Sequence, residues 1–486
     1  MGYKVALGEI CSFSRGASIP RARMLDRGDY LYIHYGDLYK GFDVRIDVEN
    51  PQKPIPYIAD SEPIREGQRL SDQDIVYVLT SETVEDLGHA FLFNNPRKLP
   101  AVAGTETTIV HVNRPDLVLP SYLNWLFQSS RFKRLLRQYV KGMKVFRVHP
   151  DDLARIEIEI PSIDDQRRIV SILDAIFERS LINSQINGYL AALLDASYSL
   201  ATENGAEVKT LPEVVDIFSG GTPKTGNPEY WEGGNIPFFA PGDVTRSVYA
   251  LTTEKHITEM GLANCNSSLY PIDTVFLTAR GTVGKVAIAG NPMAMNQSCF
   301  AFRGKDIPQS VVFQIIKHAV KSLKAKANGA TFAAINTRDL GIERVAIPSK
   351  DAMHAYDRDA SVWLSEILTN EKENLRLANL RDALLPKLMS GEIDASKVDL
   401  TQLNSHLAVP SRRLTGHLTG PRYEWQGGNQ VACMEDLIYR IFDFFPRLGD
   451  NRTRSSIKTF SPTEKSVGKG GETMDGSRRP AALLVI

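Results

Sequence analysis

The strongest constraint on this chain is an irregular stretch that it carries twice. "KGMKVFRVHPDDLARIEIEIPSIDDQ" ends at Gln166 and "NGATFAAINTRDLGIERVAIPSKDAM" ends at Met353. Gly142 aligns with Gly329, Asp152-Leu153 with Asp339-Leu340, and Pro161-Ser162 with Pro348-Ser349, each pair 187 positions apart. The likeness continues upstream. Leu-x-Glu opens both copies, at Leu7 and Leu211. An aromatic-aliphatic strand leads to Gly36-Asp37 in one and Gly242-Asp243 in the other. A second strand follows Asp74 in one and Asp273 in the other. The offset shrinks along the chain while the order of elements holds, so the loops differ and the frame does not. A unit of about 200 residues is too long for a solenoid repeat; this is a duplicated domain.

Each copy runs into a long helical pattern. The first covers about 165–200, with Ile169, Ile172, Ile176, Ile186, Leu190 and Leu193 at three- and four-residue steps. The second covers about 355–388, with Leu364, Ile367, Leu368, Leu375, Leu377, Leu380, Leu384 and Leu388. Neither stripe can be buried by its own helix. Pairing the two as an antiparallel coiled coil solves both, and their length favours protruding spacers over core helices. The expected fold is α+β: two similar domains separated by a pair of long antiparallel coiled-coil helices, pseudo-two-fold within one chain. The expected boundaries are 1–160 and 206–350 for the domains, 161–205 and 351–398 for the helical spacers, and 399–486 for a largely disordered tail.

Charge is neutral overall, with 57 basic and 57 acidic residues among 486. Any polyanionic partner must therefore be met by local patches. Arg131, Lys133, Arg134, Arg137, Lys141, Lys144 and Arg147 run without an acid between them; Lys317, Lys321, Lys324 and Lys326 do the same in the second copy. A basic helix face is usually only solvated, but its recurrence at equivalent places points to phosphate neutralisation on duplex DNA. A pseudo-symmetric chain also suits a repeating, pseudo-symmetric ligand. Tyr35, Lys224 and Arg280 stand in adjacent polar, glycine-rich loops of the kind that can reach base edges. The four cysteines form no CxxC pair, and the nine histidines show no zinc spacing. No signal-like or membrane-length apolar run occurs, which leads to the expectation of a cytoplasmic protein.

"SGGTPKTGNPEYWEGGNIPFFAPGDVT", "TARGTVGKVAI", "NQSCFAF" and "LLPKLMSGEID" resemble the target-recognition domain and following helix of type I restriction–modification specificity subunits. "IPSIDDQRRIVSILDAI" resembles the start of that family's central helix, with Asp165-Gln166 standing for its Glu-Gln; the second copy lacks the dipeptide. The resemblance covers about residues 5 to 395. It implies a non-catalytic subunit in which each target-recognition domain reads one half of a bipartite, asymmetric site. It also implies helices that set the gap and dock two methyltransferase subunits, through Gln166, Ile169, Ile176, Leu190, Leu377 and Leu384, with restriction and translocase subunits as further partners. S-adenosylmethionine, ATP and Mg²⁺ are then expected only in partner subunits. The chain agrees in having no Asn-Pro-Pro-Tyr tetrad, no GxGxxG opening a helix and no Walker A motif. The alternatives are the recognition subunit of a methylation-only system and a stand-alone duplicated nuclease, which would need clustered carboxylates to hold Mg²⁺.

Overall fold

The computed structural model describes residues 2–398 apart from 40, 85–86, 204, 246 and 327–333, with only the backbone of Lys326. All lie in one compact unit, Met1–Pro410. The tail expected at 399–486 falls outside the described residues.

The first copy opens with Tyr3–Ala6 paired antiparallel to Glu157–Ile160, Tyr3 opposite Ile160. A five-stranded sheet follows in the order Cys11–Arg15, Thr107–Val112, Ile75–Val78, His89–Asn94, Arg45–Asp47. A three-stranded sheet, Tyr57–Ile58, Tyr30–Ile33, Ala101–Ala103, accompanies it. Ile75–Val78 is buried at every position, as a strand covered on both faces must be. Helix α1 (Pro120–Gln128) packs on this sheet and gives way at Ser129 to α2 (Ser130–Arg137). The Ser129 hydroxyl accepts from Phe132 N at 3.2 Å and caps α2. Helix α3 (Ile163–Glu203) then begins.

The second copy repeats the plan. Glu207–Thr210 pairs with Arg344–Ile347, Glu207 opposite Ile347. Its five-stranded sheet runs Val215–Ser219, Cys299–Gly304, Val275–Thr278, Val286–Ala289, Tyr249–Ala250, and its three-stranded sheet Lys255–Ile257, Ile236–Phe239, Ala294–Met295. The broken pair α1–α2 is replaced by one helix, α4 (Gln309–Lys326), and α5 (Lys350–Ser390) follows. α3 and α5 are both 41 residues long, and their first residues stand 187 apart. The missing dipeptide did not move the second start, because the cap lies upstream of it: Ser162 accepts from Asp165 N at 3.2 Å and Ser349 from Ala352 N at 3.4 Å. One sequence alignment is off by a residue. Ladder register pairs Val78 with Thr107 and Thr278 with Cys299, so Asp74 matches Thr274 and Asp273 matches Gln73. Gln73 and Asp273 share the left-handed turn, φ 68° and 69°.

α3 and α5 run antiparallel. Asn183 donates to Asn374 at 3.0 Å and Asn370 to Asn187 at 2.9 Å. Adding 187 to Asn183 and Asn187 of α3 gives Asn370 and Asn374 of α5, so the two bonds are exchanged by the pseudo-two-fold, which passes through this asparagine layer. Beside it Arg179 holds Glu373 with Nε at 3.1 Å and Nη2 at 2.7 Å, a contact with no symmetric twin. The expectation of protruding spacers in place of core helices needs correction at the helix ends. Ile169, Ile172, Leu173, Ile176 and Phe177 join the first unit's core together with Leu377, Leu385, Leu388 and Met389. Leu194, Tyr198, Met353, Tyr356, Ala360, Leu364 and Ile367 join the second unit's core. The partner helix covers only one side of each stripe, and the domains bury its ends.

Candidate nucleic-acid interface

In α2 the buried Phe132 and Leu136 leave Arg131, Arg134 and Arg137 on the exposed face. Lys133 is half-buried beside the Gly88 turn. Burial, with Arg137 and Arg381 nearby, pulls its ammonium below the usual lysine range. Lys144 is exposed, but Lys141 donates to Asp152 Oδ2 at 2.7 Å. In α4, Lys321 and Lys324 are exposed, and Lys324 reaches the Gly284 carbonyl at 3.3 Å. Lys317 is paired with Asp195 of α3 and sits over the Phe313 ring, 5.2 Å from its centroid. Lys141 and Lys317 thus bind carboxylates of their own chain. The acid-free runs concealed this, because both carboxylates come from other elements. The Lys326 side chain lies outside the described residues.

The six residues expected to dock partners face inward. Gln166, Ile169, Ile176 and Leu377 are buried, and Leu190 and Leu384 are half-buried against the two cores. Gln166 is an internal tie: Nε2 donates to Leu117 O at 2.8 Å and Pro161 O at 3.0 Å, and Oε1 accepts from Leu119 N at 2.9 Å. Docking through these helices would have to use their other faces.

The loop residues lie at sheet ends. Tyr35 is part-exposed and packs against His34, ring centroids 4.9 Å apart. Lys224 is exposed, and its carbonyl accepts from Trp231 Nε1 at 3.2 Å. Arg280 is exposed, and its amide donates to Ser298 O at 3.3 Å. In the second unit, register sets Ser219, Phe300 and Leu277 side by side. The loops after Ser219, after Thr278 and before Cys299 therefore leave one end of the sheet together. The turn at Gly284, φ 76°, brings that end against Lys324. An exposed cation and polar loop tips thus share one edge, and the first unit repeats the strand register at Arg15, Thr108 and Tyr77. Sequence reading passed over Gln297 at this edge and Arg381 beside Lys133, though "NQSCF" already marked the first.

Among the described residues no three His, Cys, Asp or Glu side chains group as a metal site. Asp152, one of the adjacent carboxylates of the first repeat, is taken by Lys141 and Arg155. Cys11 and Cys299 are buried, which pushes each thiol up to about 12 and makes both poor nucleophiles. No described helix is long and apolar enough to cross a membrane.

The chain matches the type I restriction modification DNA specificity domain twice, at residues 3–190 and 203–357. It is 30% identical over 195 residues to the HindI specificity subunit of Haemophilus influenzae, covering 39% of this chain and 42% of that protein. It is 29% identical over 172 residues to the MjaIX specificity subunit of Methanocaldococcus jannaschii, covering 34% of this chain and 39% of that one. The matched segments thus span well under two thirds of these relatives. The crystal structure of a type I restriction–modification S subunit from M. genitalium shares the fold, with a TM-score of 0.51 at 15% identity over 79% of this chain and 95% of that one.

Proposed function

The chain belongs to the type I restriction–modification DNA specificity family, and from that premise we propose that it is the DNA-recognition subunit of such a complex. Each unit reads one half of a bipartite site, and the α3–α5 pair fixes the gap. The chain performs no chemistry itself. S-adenosylmethionine, ATP and Mg²⁺ act in methyltransferase and translocating nuclease partners, in the cytoplasm. The observation that carries this reading is one frame with two different edges. Gly16 and Gly220 press the same way, a Cβ on either falling within 2.0 Å of the carbonyl of Gly104 or Asn296, yet the side chains at that edge differ. Two edges of unlike chemistry read two unlike sequences.

Selection of bound duplexes from a random library, with the methyltransferase partner present, tests this. Two unequal half-sites at constant spacing are expected, and exchange of residues 206–350 for a relative's domain should alter one half only. A contiguous site, or one that changes throughout, would overturn the reading. Arg134, Arg137, Lys321 and Lys324 serve as phosphate contacts, so alanine at any one should weaken all sequences alike. Each loss should flatten the slope of log affinity against log salt by about one.

A further inference from the structure

The second unit's edge carries an exposed polar side chain at the tip of one of its turns. Residues 296–299 form a tight turn: Cys299 N donates to Asn296 O at 3.2 Å, and the Asn296 side chain accepts from Ser298 N at 3.0 Å. Gln297 sits at the exposed tip of this turn. It is not loose, because the Thr222 hydroxyl donates to its Oε1. Thr222 is carried there by the Gly220 approach, and Gly221 N donates to Met295 O at 3.2 Å. Ala279 N at 2.7 Å and Arg280 N at 3.3 Å converge on Ser298 O, tying the turn to the loop that ends beside Lys324.

The first unit builds the same turn differently. Register places Thr105 where the second unit has Gln297. There the tip is drawn back: Thr105 N donates to Tyr32 Oη at 3.2 Å, and its hydroxyl to Ala17 O at 3.4 Å. The next residue, Glu106, takes Arg147 at 3.4 Å. One position is thus retracted in one copy and presented in the other.

We propose that Gln297 is a specificity-determining residue that reads an adenine in the half-site of the second unit, with Thr222 as its positioning residue. An amide oxygen has two lone pairs. One accepts from Thr222, and the other is free for the N6 hydrogen of adenine while Nε2 donates to N7. This is the bidentate pairing of glutamine with adenine in the major groove. Lys321 and Lys324, on the helix that this edge abuts, supply phosphate contacts that position the duplex without reading it. The inference rests on the DNA-recognition reading above.

The test is library selection and binding with the full chain and its methyltransferase partner. Gln297→Ala should lose preference for adenine at one position of one half-site, by about ten- to a hundredfold, with the other half-site and the salt slope unchanged. Gln297→Glu, which can only accept, should move that position toward cytosine. Thr222→Val should weaken the same preference by a smaller factor. Lys324→Ala should instead weaken every sequence alike. A Gln297→Ala protein that keeps the wild-type preference at every position overturns the inference and leaves the wider reading intact. A wild-type protein that selects no gapped sequence overturns the wider reading itself.

Discussion

Both units bring a short, parallel-paired edge strand against the long helix that follows them, and a helix carboxylate fastens it through a different donor in each. In the first unit Arg45 on the strand reaches into α3, 2.9 Å from Asp174 and 3.6 Å from Glu178. Trp125 Nε1 shares Asp174 at 2.8 Å. In the second unit the helix carboxylate meets backbone instead of a cation: Glu371 of α5 accepts from Val248 N at 2.9 Å and Tyr249 N at 3.1 Å. Ser184 stands where a twin of Glu371 would be, and Ser361 where a twin of Asp174 would be. The joint survived duplication and its side chains did not. An edge strand has unpaired backbone groups that something must satisfy or cover, and either solution serves.

The largest effect should come from the buried ion pair beside the asparagine layer. Glu373→Ala leaves the buried Arg179 guanidinium without its partner, and one of its nitrogens already lacks one. A loss of about 4 kcal/mol is expected, read as a fall in the denaturant midpoint. An unchanged midpoint would mean that the ion pair adds nothing to what the apolar packing and the asparagine layer already supply.

Next is pH. Burial pushes the Glu371 carboxyl up to about 7 from its ordinary 4.5, against the two amide donors that pull it down. The folded state therefore binds the proton more tightly than the unfolded chain. Stability should fall by up to about 3 kcal/mol as pH rises from 4.5 to 7, and then level. Calorimetry across that window should show the fall, and Glu371→Gln should abolish it. A slope that survives the substitution would locate it elsewhere.

The helix starts supply a sharper contrast at smaller cost. Gln166→Ala strands three backbone groups and should cost about 2 kcal/mol. Met353, its positional twin, is buried in the second core, so Met353→Leu should cost less than about 1.5 kcal/mol. Thermal midpoints of the two variants measure the difference directly, and equal losses would undo the contrast.

The smallest effect belongs to Arg45→Ala, about 1 kcal/mol and diminishing with added salt, since the pair is partly exposed. A salt-independent loss would point to its packing over the Phe177 ring, 5.7 Å away.

Much of the frame was readable because it is written in local pattern. The Pro-Ser pairs and the three- and four-residue apolar steps are caps and periodicities, and these act within a turn or two of the chain. What failed was anything needing a partner far along it. The acid-free run around Lys317 gave no hint of Asp195, 122 residues away. The stripe from Ile169 to Ile176 looked like an interface and is core. Asp74 and Asp273 looked equivalent and sit one residue apart in register, which turns their side chains to different neighbours.

The sequence by itself determined the duplication, the antiparallel helix pair, the order of elements and the family. Repetition and apolar period constrain the backbone whatever the loops do. Only the tertiary structure decided which lysines are free, that Gln166 ties rather than docks, and that Gln297 is presented where Thr105 is held back. Those outcomes depend on which atoms lie within about 3 Å of one another, and that distance is set by strand register and helix packing rather than by separation along the chain.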